Sequence, residues 1–152
     1  SIEVLQTPGH SDCSICLFEP TGRVLVASDA TGFCLPEKNF WWPCYFGGYA
    51  AHLGSIERLS GMDAEVLCLG HNGAITGADD VKKYLADALA ATKAYHQRIV
   101  DEAKSGKSVR EIAEQLGSDV HCQSPLLTVD FFQKNCGILV KQSLAHEGIE
   151  LD

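Results

Sequence analysis

The sequence predicts an α/β fold, and three observations carry that prediction. Runs rich in β-formers crowd the start of the chain, as "IEVLQT", "CSICLFEP" and "RVLVASDA". A near-continuous apolar run, "AEVLCLG" at 64–70, has the character of a strand buried on both faces. Beyond it the pattern changes to helical stripes that fill most of the remaining chain.

The elements follow in order. In "IEVLQT" (2–7), Ile2, Val4 and Gln6 share one face, and Glu3 and Leu5 the other. The runs 13–20 and 23–30 flank "EPTGR", where Pro20 and Gly22 mark a tight turn, so they read as a β-hairpin. The stretch 31–48 is a loop with a dense aromatic cluster. Tyr49, Leu53 and Ile56 share a face, which predicts a helix over 49–59. After strand 64–70 comes the glycine-rich "HNGAITG". Thr76, with Asp79 three residues on, reads as the cap of a long helix with its stripe on Val81, Tyr84, Leu85, Ala88, Leu89, Thr92, His96 and Ile99. Gly106 stops it. Ser108 with Glu111 opens a short helix that Gly117 closes, and Ser124-Pro125 begins a last helix to about Ala145 with Val129, Phe132, Cys136, Leu139 and Val140 inward. Four strands are few for a self-sufficient sheet.

At 152 residues the chain is long enough to bury a core. Its opening, "SIEVLQ", has neither the basic head nor the apolar run of a signal peptide, and no run reaches a membrane span. A formal net charge of −8 disfavours nucleic acid and anionic membranes as partners. The seven cysteines, several of them inside apolar runs, suit reduced, buried residues of a cytoplasmic protein. "CSIC" at 13–16 has redox or zinc-knuckle spacing, but on a strand, residues three apart point to opposite faces.

The first functional signal is "TPGHSD" at 7–12. Pro8 and Gly9 end the first strand and hold His10 on a bent corner. The hairpin runs away from that corner and returns, so Asp29, just past the returning strand, lands beside it. Strand 64–69 ends in "GHNG", placing His71 on another strand-end loop. Open α/β sheets bind ligands at such loops. Two imidazoles and a carboxylate form a metal-ligand set, and a carboxylate can bridge two ions.

"TPGHSD", then "VLVASDA", then "LCLGHNG" before a long helix resembles the metallo-β-lactamase-fold hydrolases, over about residues 2–100. Asn72 stands where that family often has glycine, and its His-x-His-x-Asp-His string, found in the N-terminal half, is absent. The resemblance implies the C-terminal half of an αββα sandwich over 1–106, with a helical extension packed on it over 107–152. It implies that His10 binds one metal, His71 a second, and that Asp29 bridges them. The ions would be two zincs, with iron an alternative, and weakly held in this chain alone. The parent would be a metal-dependent hydrolase whose metal-activated water attacks an ester, thioester or similar bond of a small-molecule substrate. The remaining ligands and the proton-handling aspartate would come from the N-terminal half, so this chain alone is expected to be inactive. The implied partners are that half or, to cover an exposed sheet face, further copies of the chain.

Two further readings stand beside this one. Phe40, Trp41, Trp42 and Tyr45, just after Asp29, form either a wall of an apolar substrate pocket or packing over the sheet edge. "SVREIAEQLGSDV" resembles the first helix and turn of a helix-turn-helix over 108–140, although the expected recognition helix is nearly uncharged. A non-catalytic assembly or binding module is therefore the alternative function.

Overall fold

A computed structural model describes residues 1–150. Its strands are β1 (Glu3–Gln6), β2 (Ile15–Glu19), β3 (Val24–Ser28), β4 (Phe33–Leu35), β5 (Phe40–Trp42), β6 (Val66–Leu69) and β7 (Ala74–Thr76). Its α-helices are α1 (Tyr49–Ser60), α2 (Ala78–Lys104), α3 (Val109–Gln123) and α4 (Val129–Glu147). The chain forms two compact units, which divide at Thr92 and Lys93 inside α2, whereas the sequence places the boundary after that helix.

In the first unit β1, β2, β3, β6 and β7 form one mixed sheet in that order. β1, β2 and β3 pair antiparallel, β3 and β6 pair parallel, and β6 and β7 close a hairpin. The fifth strand, β7, is a correction to the four-strand expectation: Thr76 ends it rather than capping a helix. Gly77, at φ 104°, makes the turn into α2, and its carbonyl accepts from Val81 N–H. The aromatic loop holds its own antiparallel pair, β4 with β5.

Alternation divides the sheet cleanly. Leu5, Cys16, Phe18, Leu25, Ala27 and Leu67 face the core, against Leu59, Ala64, Val81, Tyr84 and Leu85. On the other face Val4, Leu17, Val26 and Cys68 stand directly opposite one another across four strands. Among them Val4 is 64% exposed and Val26 39%, with Ile2 and Ile15 exposed nearby. One apolar face of this sheet is therefore open.

In the second unit the capping box of α3 forms as the sequence predicts: Ser108 and Glu111 bond reciprocally. Gly117 does not close that helix, which continues to Gln123. Gly117 instead lets α4 come close, since a Cβ there would lie 2.4 Å from the backbone nitrogen of Gln133. A helix-turn-helix needs a turn after "EIAEQLG", and unbroken helix stands there, which removes that reading. α4 begins later than expected, capped by the Thr128 hydroxyl, and Val129 on its first turn is exposed rather than inward. None of the seven cysteines forms a disulfide. Among the described residues no helix is long and apolar enough to cross a membrane.

Candidate metal centre

The sequence of the "TPGH" corner sets its shape. Gly9 takes φ 135°, and a Cβ there would lie 2.4 Å from the His52 Cα. Only glycine lets α1 pack this closely. Ser55 of α1 then donates to the Pro8 carbonyl at 2.7 Å, and Gly47 N–H donates to the Gly9 carbonyl at 2.7 Å. Behind the corner the buried Thr7 hydroxyl lies 3.2 Å from the Cys16 thiol, which donates to the Ala27 carbonyl. Strands β1, β2 and β3 are thus tied where they approach the site.

Asp29 opens a single 3₁₀ turn, Asp29–Thr31, at the end of β3. The register of β3 on β6 shifts between Val26 and Ser28, and Ser28 is held at φ 47°. An irregularity of this kind re-aims a side chain at a strand end. The end of β6 lies alongside, because the two strands are parallel. Gly70 N–H donates to the Ser28 carbonyl, and a Cβ on Gly70 would meet that residue's backbone at 2.9 Å and the Asp29 Oδ1 at 3.2 Å. The absent side chain at 70 brings His71 up to Asp29. Asn72 sits at φ 66°, a conformation that asparagine tolerates nearly as glycine does, and its amide donates to the Cys34 carbonyl at 2.6 Å. That accounts for asparagine at a position of the motif where glycine is usual.

These loops bring the three predicted residues together. His10 Nε2 lies 3.9 Å from Asp29 Oδ2, and His71 Nε2 lies 3.1 Å from Asp29 Oδ1. Each carboxylate oxygen faces one imidazole. Two donors held by one zinc ion can be no more than ~4.3 Å apart, given bonds of ~2.0 to 2.2 Å. Both separations fall within that limit, and nitrogen–oxygen pairs are a donor set zinc accepts. Each ion would have two protein atoms here. Among the described residues no group of three or more His, Cys, Asp or Glu side chains is placed so that together they could hold a metal ion.

Each imidazole carries an aromatic neighbour that sequence reasoning missed. Phe46 meets His10 edge to face at 5.3 Å, and Phe33 meets His71 at 5.7 Å. The four aromatic residues named for a pocket wall or for edge packing differ in burial. Tyr45 is fully buried and Trp42 nearly so. Trp41 packs against Tyr84 with the rings tilted and donates its N–H to the Thr31 carbonyl, and Phe40 is half-buried on β5. Trp42 and Tyr45 are therefore interior packing, Trp41 is half-buried against Tyr84, and the rings beside the two imidazoles are Phe46 and Phe33. Burial and neighbouring Glu37 and Asp87 push the Cys34 thiol up to about 11, which leaves it inert at neutral pH.

His52 is a second residue without a sequence signal. It is fully buried against the corner, beside the Tyr45 ring, and neither ring nitrogen has a hydrogen-bond partner among the described residues. Burial first, and the His10 charge second, push it down to about 4, so it is neutral.

Comparison with known proteins agrees with this architecture. Residues 1–71 match the family model of the metallo-beta-lactamase superfamily. A metallo-beta-lactamase family protein from Thermus thermophilus is similar in structure, with TM-score 0.63 and 24% identity, over 97% of this chain and 44% of that one. The stereoselective inverting sec-alkylsulfatase from a Pseudomonas species gives TM-score 0.61 and 20% identity, over 92% and 23%. A beta-lactamase domain protein from Burkholderia ambifaria gives TM-score 0.56 and 18% identity, over 96% and 43%. The chain spans less than half the length of each of these structures.

Proposed function

We propose that this chain, whose residues 1–71 match the metallo-beta-lactamase superfamily model and whose α/β fold with a C-terminal helical part is that of its structural neighbours, is part of a metal-dependent hydrolase. The observation that carries the reading is the divided carboxylate of Asp29, with one imidazole Nε2 facing each oxygen. His10 and Asp29 would hold one ion, and His71 and Asp29 the other. When bound, such ions lower the pKa of water toward ~7 and so supply a nucleophile at neutral pH. The protein residues here bind and orient. None of the three is placed as a general base.

Catalytic zinc usually has three protein ligands. Two per ion, on partly exposed loops, predict weak binding in this chain alone and no turnover. The third ligand and the proton-handling group would come from the partner half of the domain. The substrate would be a small molecule with an ester, thioester or similar bond. The kinship in fold with a sulfatase leaves the choice of leaving group to experiment.

The test is zinc titration of the dialysed chain by calorimetry, followed by assays on generic thioester, sulfate-ester and phosphodiester substrates. Weak zinc binding that Asp29→Ala removes, without turnover, is the expected result. Zinc binding unchanged by Asp29→Ala would overturn the site. One or two tightly held metals per chain, with turnover lost in Asp29→Ala, would show instead that this chain is sufficient.

A second reading, an assembly module, is favoured by the open apolar row Val4, Leu17, Val26 and Cys68. Such a face needs a cover. The two readings are compatible if the cover is the half of the domain that completes the metal site.

A further inference from the structure

The aromatic loop has a role that neither pocket wall nor edge packing describes. Cys44 lies at φ 57°, in the left-handed region that non-glycine residues seldom adopt. Its carbonyl accepts from Phe46 N–H at 2.9 Å, closing a tight turn about the fully buried Tyr45. The same carbonyl lies 3.2 Å from His10 Nδ1. A carbonyl oxygen only accepts, so the ring nitrogen facing it carries the proton. Two residues on, Phe46 leans on the same imidazole, and Gly47 N–H holds the carbonyl of Gly9, the residue before it.

We infer that Cys44 to Gly47 is a clamp that fixes the tautomer and ring orientation of His10, with Cys44 as the positioning residue. With Nδ1 protonated, the lone pair is on Nε2, the atom that faces Asp29. A free histidine side chain favours the opposite tautomer, with the proton on Nε2, which would turn an N–H toward the carboxylate and block a cation there. The left-handed backbone at Cys44 is thereby explained, because strain of this kind persists where the surroundings enforce it and clusters at functional sites. The value of the clamp to a metal rests on reading His10 as a ligand. The tautomer itself does not.

The experiment labels histidine with nitrogen-15 and records long-range proton–nitrogen spectra of the metal-free chain at pH 8. His10 is expected with Nδ1 protonated and Nε2 bare. His10 protonated on Nε2 would overturn the proposal. Cys44→Val places a β-branched residue where φ is positive, so the carbonyl should turn away, Nε2 should take the proton, and zinc affinity should fall about tenfold or more. Cys44→Gly accepts the same φ and should keep both the tautomer and the affinity. If Cys44→Val fails to fold, Phe46→Ala replaces it, with a mixed tautomer and a loss of a few-fold expected. Both variants retaining the wild-type tautomer would overturn the clamp. The expected tautomer in a chain whose zinc binding is unchanged by Asp29→Ala would uphold the clamp and refute the metal reading.

Discussion

Ser28 stands between the last regular pair of β3 and Asp29, at φ 47° and ψ −134°. A serine held there costs about 1–3 kcal/mol. Ser28→Gly should relieve that strain, offset in part by about 1 kcal/mol of added freedom in the unfolded chain. We expect a small net rise in urea-unfolding stability together with weaker zinc binding, since the carboxylate is then less firmly aimed. His52 sets a pH dependence. Its folded value of about 4 lies below the ordinary 6.5, so the folded state resists protonation while the unfolded state accepts it. The full stability is present above pH 6.5 and is lost as pH falls toward 4, by about 3 kcal/mol in all. Urea unfolding at pH 7.5, 5.5 and 4.5 should show that slope in the wild type and a flatter one in His52→Leu. Equal slopes would mean that His52 is reached by water. The metal candidates His10, Asp29 and His71 were legible because each follows a strand and precedes or follows glycine or another small residue. His52 was not, since its burial depends on Gly9, far away in sequence.

At the scale of elements, α1 shows why a stripe can be read slightly wrong. Leu53 suggests the inward face, yet the buried residues are Tyr49, His52, Ser55, Ile56 and Leu59. The helix is turned so that two polar residues meet the "TPGH" corner, where Ser55 satisfies a carbonyl. Periodicity counts apolar residues, and these two are not apolar. Gly117 misleads for a related reason. Glycine after an apolar stripe reads as a stop, but here it is a point of close approach between α3 and α4. Gly117→Ala would press a methyl group into the Gln133 backbone, and we expect a loss of about 1–3 kcal/mol, read as a lower thermal midpoint. Unchanged stability would show that the two helices separate freely. The strands β4, β5 and β7 each have three residues, too few for alternation to declare them. The hairpin of β2 and β3 was readable because its turn is local and its strands alternate.

For the whole molecule, the open sheet face makes the strongest expectation. Val4 and Val26 lie in one row with Leu17 between them, exposed on a surface of a kind that isolated proteins seldom leave wet. Sedimentation velocity should find the chain self-associated, and Val4→Lys with Val26→Lys should yield monomers. A wild type that sediments as a monomer at high concentration would overturn that expectation. The parallel pairing of β3 with β6 carries a consequence in time as well as in space. Val24 finds Val66 only after the aromatic loop and α1 between them have been gathered in, whereas the hairpins on either side close locally. Contacts so distant along the chain form late, because the loop entropy is spent before the contact returns anything. Asp29 and His71 lie at the end of that pair. The carboxylate and the imidazole therefore become neighbours among the last events of folding, and a metal ion that needs both would favour only chains that have completed it.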